Sequence, residues 1–116
     1  MRKGLFLTMM LAVILTARLG RIIYDGHPET YYNLRMDYVC QRATELGIQG
    51  QYSVREDGCK MFGEYIIVAT NWDVHPYGSL VETSRGMGIV LDHHTNTDKT
   101  TVDIATDWGK GGKTCR

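Results

Sequence analysis

Apolar positions along this chain change their period near Gly47. Before it, Met36, Val39, Ala43 and Leu46 fall three to four apart, the spacing that lines one face of a helix. Asn33 can cap the start and Gly47 can supply the left-handed end, so the pattern predicts one short amphipathic helix. After Gly47 the period shortens: Tyr52 and Val54 alternate with polar neighbours, Asp57-Gly58 is a turn signal, and residues 64–69 are rich in β-branched and aromatic side chains. Further strands are expected at residues 79–83, 86–92 and 100–105. Short strands with Gly, Pro and Asn between them suggest a small barrel or sandwich, and a barrel leaves no exposed edge. The expected fold class is mainly β, preceded by one short helix.

The N-terminus has a different character. Arg2 and Lys3 precede an uncharged, apolar stretch over residues 4–17 that ends at Arg18. A membrane-crossing helix needs roughly 20 apolar residues, so this stretch reads as a secretory signal with a charged start and an apolar middle. Leu15 stands where a second small residue is wanted before Thr16-Ala17, which keeps an uncleaved membrane anchor as the alternative. A buried first helix would show a polar face, and none appears. Residues 1–17 are therefore assigned as signal or anchor, and 18–32, with His27-Pro28 and little periodicity, as linker. The folded domain is expected over 33–108, followed by a flexible tail over 109–116. That Gly/Lys tail resembles a phosphate loop but fails on spacing, with Asp107 where glycine is needed.

Composition narrows the picture. With 116 residues, 43% hydrophobic and 22% charged, the chain is too short for two ordinary domains and too apolar to be disordered. Thirteen Lys+Arg balance thirteen Asp+Glu, so no basic surface marks nucleic acid as a partner. Removing residues 1–17 takes away Arg2 and Lys3 and no acid, leaving a faintly acidic remainder. Export would make disulfides durable. Three cysteines are an odd set; the expected bridge is Cys40–Cys59, with Cys115 left in the tail, against the alternative of two buried free thiols. No Cys-x-x-Cys pair supports a structural zinc site.

Candidate chemistry concentrates on two acids. No serine sits in a Gly-x-Ser-x-Gly elbow. Asp92 ends a run that is apolar on both faces, and Asp103 lies between Val102 and Ile104 in the next expected strand. Burial raises a carboxyl pKa and a neighbouring carboxylate raises it further, which keeps an acid protonated near neutral pH, as glycosidic cleavage requires. The alternative is that both acids satisfy backbone donors. Asp92, His93, His94 and Asp98 are metal-capable types, but adjacent histidines on an extended chain point to opposite faces, and neither a metal nor a cofactor is expected. His75 is expected in a turn and Glu82 on an exposed strand, with Trp108 closing the barrel. Trp72 and Tyr77 read as core or as a sugar-stacking platform.

The stretches at residues 63–71, 76–78, 86–92 and 102–104 together resemble the 3D domain, which is named for three aspartates and related to the barrel of the MltA-type lytic transglycosylases. Such domains occur in exported cell-wall proteins of Gram-positive bacteria, including stationary-phase survival and resuscitation-type proteins, and in their phages. The similarity covers residues 50–108, about half of the chain. It implies a six-stranded double-psi β-barrel acting as a monomer, secreted or wall-associated, with peptidoglycan glycan strands as partner and the membrane touched only through the N-terminal segment. The family's second and third aspartates fall on Asp92 and Asp103, eleven positions apart, and the first falls on Asn71. His93-His94-Thr95 replaces the Thr-Gly-Gly that ordinarily follows the second aspartate. The implied activity is cleavage between N-acetylmuramic acid and N-acetylglucosamine, with Asp92 as acid/base and Asp103 sustaining its pKa. Asn71, Tyr77 and His93 would bind the sugar. The alternative is a non-catalytic glycan-binding barrel, which the amide at Asn71 favours.

Overall fold

The computed structural model describes residues 21–108; the expected signal or anchor and the tail with Cys115 lie outside the described residues. The order is β1 (Arg21–Tyr24), β2 (His27–Tyr32), α1 (Asp37–Glu45), β3 (Tyr52–Val54), β4 (Lys60–Phe62), β5 (Tyr65–Thr70), β6 (Leu80–Thr83), β7 (Gly86–His93) and β8 (Val102–Ala105). The protein is mainly β with one helix among the described residues, and all eight strands join one mixed sheet.

Two parallel pairings organise that sheet. β1 runs antiparallel to β2, β2 parallel to β8, β8 antiparallel to β5, β5 parallel to β7, and β7 antiparallel to β6. Read from either end, this sequence of pairings is the same. β4 occupies the start of the β5 edge whose far end β8 takes, and β3 pairs with β4. β1 and β6, at the two ends of the path, meet through side chains. Tyr24 Oη donates to Glu82 Oε1 at 3.0 Å, and the fully buried Glu29 of β2 accepts from Ser84 N at 3.0 Å and from Ser84 Oγ.

The linker expected over 18–32 is corrected: residues 21–32 are a β-hairpin built into the sheet. Asp25 and Gly26, both at positive φ, make the two-residue turn that matches strand twist. Pro28 is tolerated because the β8 ladder begins one residue later, at Glu29↔Val102.

The helix forms where expected but starts differently. Met36, Val39, Cys40 and Ala43 bury one stripe against Ile67, Ile89 and Leu91 of the sheet. Asp37 in the first turn and Arg42 in the last complement the helix dipole. Asn33 is not the cap; its Oδ1 accepts from the Nζ of buried Lys60 at 2.9 Å, tying the helix entry to β4. Gly47, at φ 87, ends the helix, while Leu46 is 58% exposed and outside the core.

On the opposite face of the sheet, Ile66, Val68, Val90 and Ile104 pack with Cys59 and Tyr31. This layering overturns the Cys40–Cys59 bridge. Cys40 lies in the helix-side layer and Cys59 in the other, with the sheet between them. Cys40 is disulfide-bonded, whereas Cys59 is a free, buried thiol pushed up to about 12, first by burial and then by the Asp57 charge. Trp108 is 49% exposed and donates to Thr106 Oγ1 at 2.6 Å, so it does not close the core.

Candidate functional site

Asp92 and Asp103 reach one face of the sheet through an irregularity. β5 and β7 pair Val68 with Val90 but Ala69 with Asp92, so Leu91 is an extra residue on β7. On the other edge of β5, Ala69 pairs with Asp103. The two acids therefore flank Ala69 from neighbouring strands, their backbones about 10 Å apart at ordinary strand spacing, with a single methyl between them. Both are half-buried.

β2 supplies a hydroxyl to each acid from alternate positions. Thr30 Oγ1 donates to Asp103 Oδ1 at 2.7 Å, and Tyr32 Oη donates to Asp92 Oδ2 at 2.9 Å. Asp92 Oδ1 also accepts from His93 N at 2.9 Å. Burial raises the pKa of Asp103 and the Asp92 charge adds to it, against the opposing Thr30 hydrogen bond and His94. Burial pushes Tyr32 well above the usual phenol range, and the charge and hydrogen bond of Asp92 push it further, so it remains a proton donor.

An aromatic cluster borders this pair. Trp72 Nε1 donates to the carbonyl of Asp92 at 2.9 Å, which fixes the indole beside it. The Tyr77 and His93 rings stand edge-on to Trp72 at 5.4 and 5.0 Å. The Arg42 guanidinium lies over Trp72 and Tyr77, 5.8 and 5.6 Å from their centroids. Tyr77 Oη is buried and has no partner among the described residues. Tyr77 and His93 thus come together with Asp92.

Asn71 is engaged elsewhere. Its Oδ1 accepts from Asp73 N at 3.0 Å and its carbonyl accepts from Val74 N and His75 N, which makes it the first residue of a tight turn. The adjacent histidines separate as expected of an extended chain: His93 is exposed and His94 buried. His94 Nε2 donates to Thr101 O at 2.6 Å while Nδ1 accepts from Asn96 N at 3.1 Å, so both ring nitrogens hold the loop before β8. Asp98 caps its own turn through Thr100. Among the described residues no three metal-type ligands converge.

Thr30, Tyr32 and Arg42 escaped the sequence reading. The first two lie in the segment read as linker, where the Asp25-Gly26 turn followed by Thr-Tyr-Tyr carried the missing signal. Arg42 lies outside the apolar stripe and gave none. Comparison with known protein families, with characterised proteins and with solved structures found no match.

Proposed function

We propose that the protein is a peptidoglycan lytic transglycosylase built on a double-psi type of barrel, with Asp103 as acid/base and Asp92 as its partner. The observation that carries this reading is the pair of half-buried carboxylates on either side of Ala69, each held by a hydroxyl of β2. The symmetric order of antiparallel and parallel pairings, with side chains joining β1 to β6, supports the barrel. The roles reverse the sequence expectation, because Asp103 is the acid with one hydroxyl donor and a pKa raised by burial, whereas Asp92 receives two donors.

The chemistry follows from those roles. Protonated Asp103 gives its proton to the oxygen joining N-acetylmuramic acid to N-acetylglucosamine, and the bond from that oxygen to C1 breaks. Asp92, oriented by Tyr32, faces the positive charge that develops on the sugar. The Asp103 carboxylate then takes the proton of the C6 hydroxyl as its oxygen closes on C1, which leaves a 1,6-anhydro end and restores the acid. No water is consumed, in contrast with hydrolysis by two carboxylates. The protein would act on wall glycan outside the cell, as a monomer, secreted or held by its N-terminal segment.

A second reading, a glycan-binding barrel that does not cut, is favoured by one observation: Asn71, where a third acid would complete the set, spends its side-chain oxygen on a turn. Digestion of purified cell walls separates the two. The proposal expects anhydro-muropeptides from the parent and at least a hundredfold loss, roughly, in Asp103→Asn, the effect of removing a general acid. A larger loss in Asp92→Asn would return the acid role to Asp92, and wall binding with no cleavage by the parent would establish the binding module.

A further inference from the structure

We infer that the corner formed by Arg42, Trp72 and Tyr77 binds a carboxylate carried by the glycan, so that the site selects acidic sugars over neutral ones; this rests on the glycan-binding reading above. Three observations converge there. Arg42 is an exposed residue whose guanidinium faces two aromatic rings, and no described carboxylate forms an ion pair with it. Trp72 is held beside Asp92 by its indole N–H, so a sugar between the two acids also borders this corner. Tyr77 Oη, within the same cluster, is a buried hydroxyl that no described group satisfies.

The chemistry of the parts fits an anion next to a stacked ring. A guanidinium lying against aromatic faces is weakly hydrated and keeps the planar edge that grips a carboxylate through two parallel hydrogen bonds. Arg42 gains that geometry from its place on α1, one residue before buried Ala43, at the rim where the helix meets the sheet. The exposed His93 ring, 5.0 Å from Trp72, adds a second polar group to the same border. The ligand is thus a sugar bearing an acidic substituent. In wall glycan that carboxylate can belong to the lactyl group of peptide-free N-acetylmuramic acid or to the peptide stem.

Calorimetric binding of three tetrasaccharides to the full chain tests this, in the cleavage-deficient Asp103→Asn background. The ligands are neutral chitotetraose, peptide-free muramic-acid glycan and the same glycan with its stem peptides. At least one acidic ligand should bind about fivefold or more tighter than chitotetraose, the scale of one exposed charged contact. Arg42→Gln should remove that preference, bringing the affinity for the acidic ligands down to that for chitotetraose, and the ligand that loses more identifies the source of the carboxylate. Near-ultraviolet circular dichroism of Trp72 and Tyr77 verifies that the variant keeps its fold. Equal affinity for all three ligands, or a preference that survives Arg42→Gln, would overturn the inference and leave the glycan reading standing; failure of all three sugars to bind would overturn both.

Discussion

The two parallel joints of the sheet share a topology and differ in what holds them. At β5 and β7 the contacts are apolar: Ile66, Ile67 and Val68 against Ile89 and Val90, all buried. Gly88 lets these strands close up, since a Cβ there would stand 2.9 Å from Val68 Cγ1. At β2 and β8 the pairing also buries Tyr31 and Ile104, but β2 adds polar contacts on every side, with Thr30 on Asp103 of β8, Tyr32 on Asp92 of β7 and Glu29 on Ser84 just after β6. Burial is non-directional and tolerates local shifts, whereas a buried carboxylate needs its donors in place. The β5–β7 joint therefore supplies cohesion, and β2 in addition holds charged groups of its neighbours in fixed positions where chemistry can use them.

Removing the polar joint is the severest test. Deleting residues 1–30 would be harmless if that segment were a linker, but it takes away β1, Glu29 and Thr30, and the remaining chain should lose cooperative thermal unfolding. Single substitutions then compare the joints directly in urea. Ile67→Ala, on the apolar side, should cost about 3 kcal/mol through the cavity it leaves. Glu29→Ala should cost about 2 kcal/mol, because Ser84 and Tyr31 lose their buried acceptor. A negligible cost at Glu29 would mean that β2 does not depend on its polar contacts.

The smallest effect concerns protons. Asp103 has its folded pKa raised above 3.8, so the folded protein keeps a proton that the unfolded chain releases first. Stability should therefore fall as pH rises from 3.8 through the folded pKa, and the cost is complete above it. Asp103→Asn abolishes that titration, and its stability relative to the parent should be higher at pH 7 than at pH 3, read from urea midpoints. A difference of the opposite sign would show that Asp103 is stabilised as a carboxylate.

The same contrast explains what could be read from the chain. β5 and β7 announce themselves as apolar runs, and the helix stripe at Met36, Val39 and Ala43 is unambiguous. β2 hides because its pattern carries Pro28, Glu29 and Thr30, residues whose strand conformation depends on partners far along the chain, at Ser84 and Asp103. Asp92 and Asp103 are legible as unusual acids, but their alignment is not. Without the extra residue at Leu91, Ala69 would face Leu91 and Asp92 would pass to the other side of the sheet, since strand side chains alternate. The alignment thus depends on a single bulge that no local propensity marks. Asn71 shows the reverse case, a position expected to bind sugar whose side-chain oxygen is claimed by a nearby turn.

The burial of Cys59 has a consequence for oxidative assembly. Oxidants and exchanging disulfides act on thiolate, and burial that pushes the Cys59 thiol up to about 12 keeps it protonated at neutral pH. Access is lacking as well, since Cys59, just before β4 and in a backbone bridge to Thr106, has no exposed surface. In the folded protein Cys59 therefore does not compete for the pairing of Cys40 and offers no reactive sulfur through which two copies could become covalently joined. The fold itself sorts the chain's thiols, sealing Cys59 away and leaving Cys40 paired.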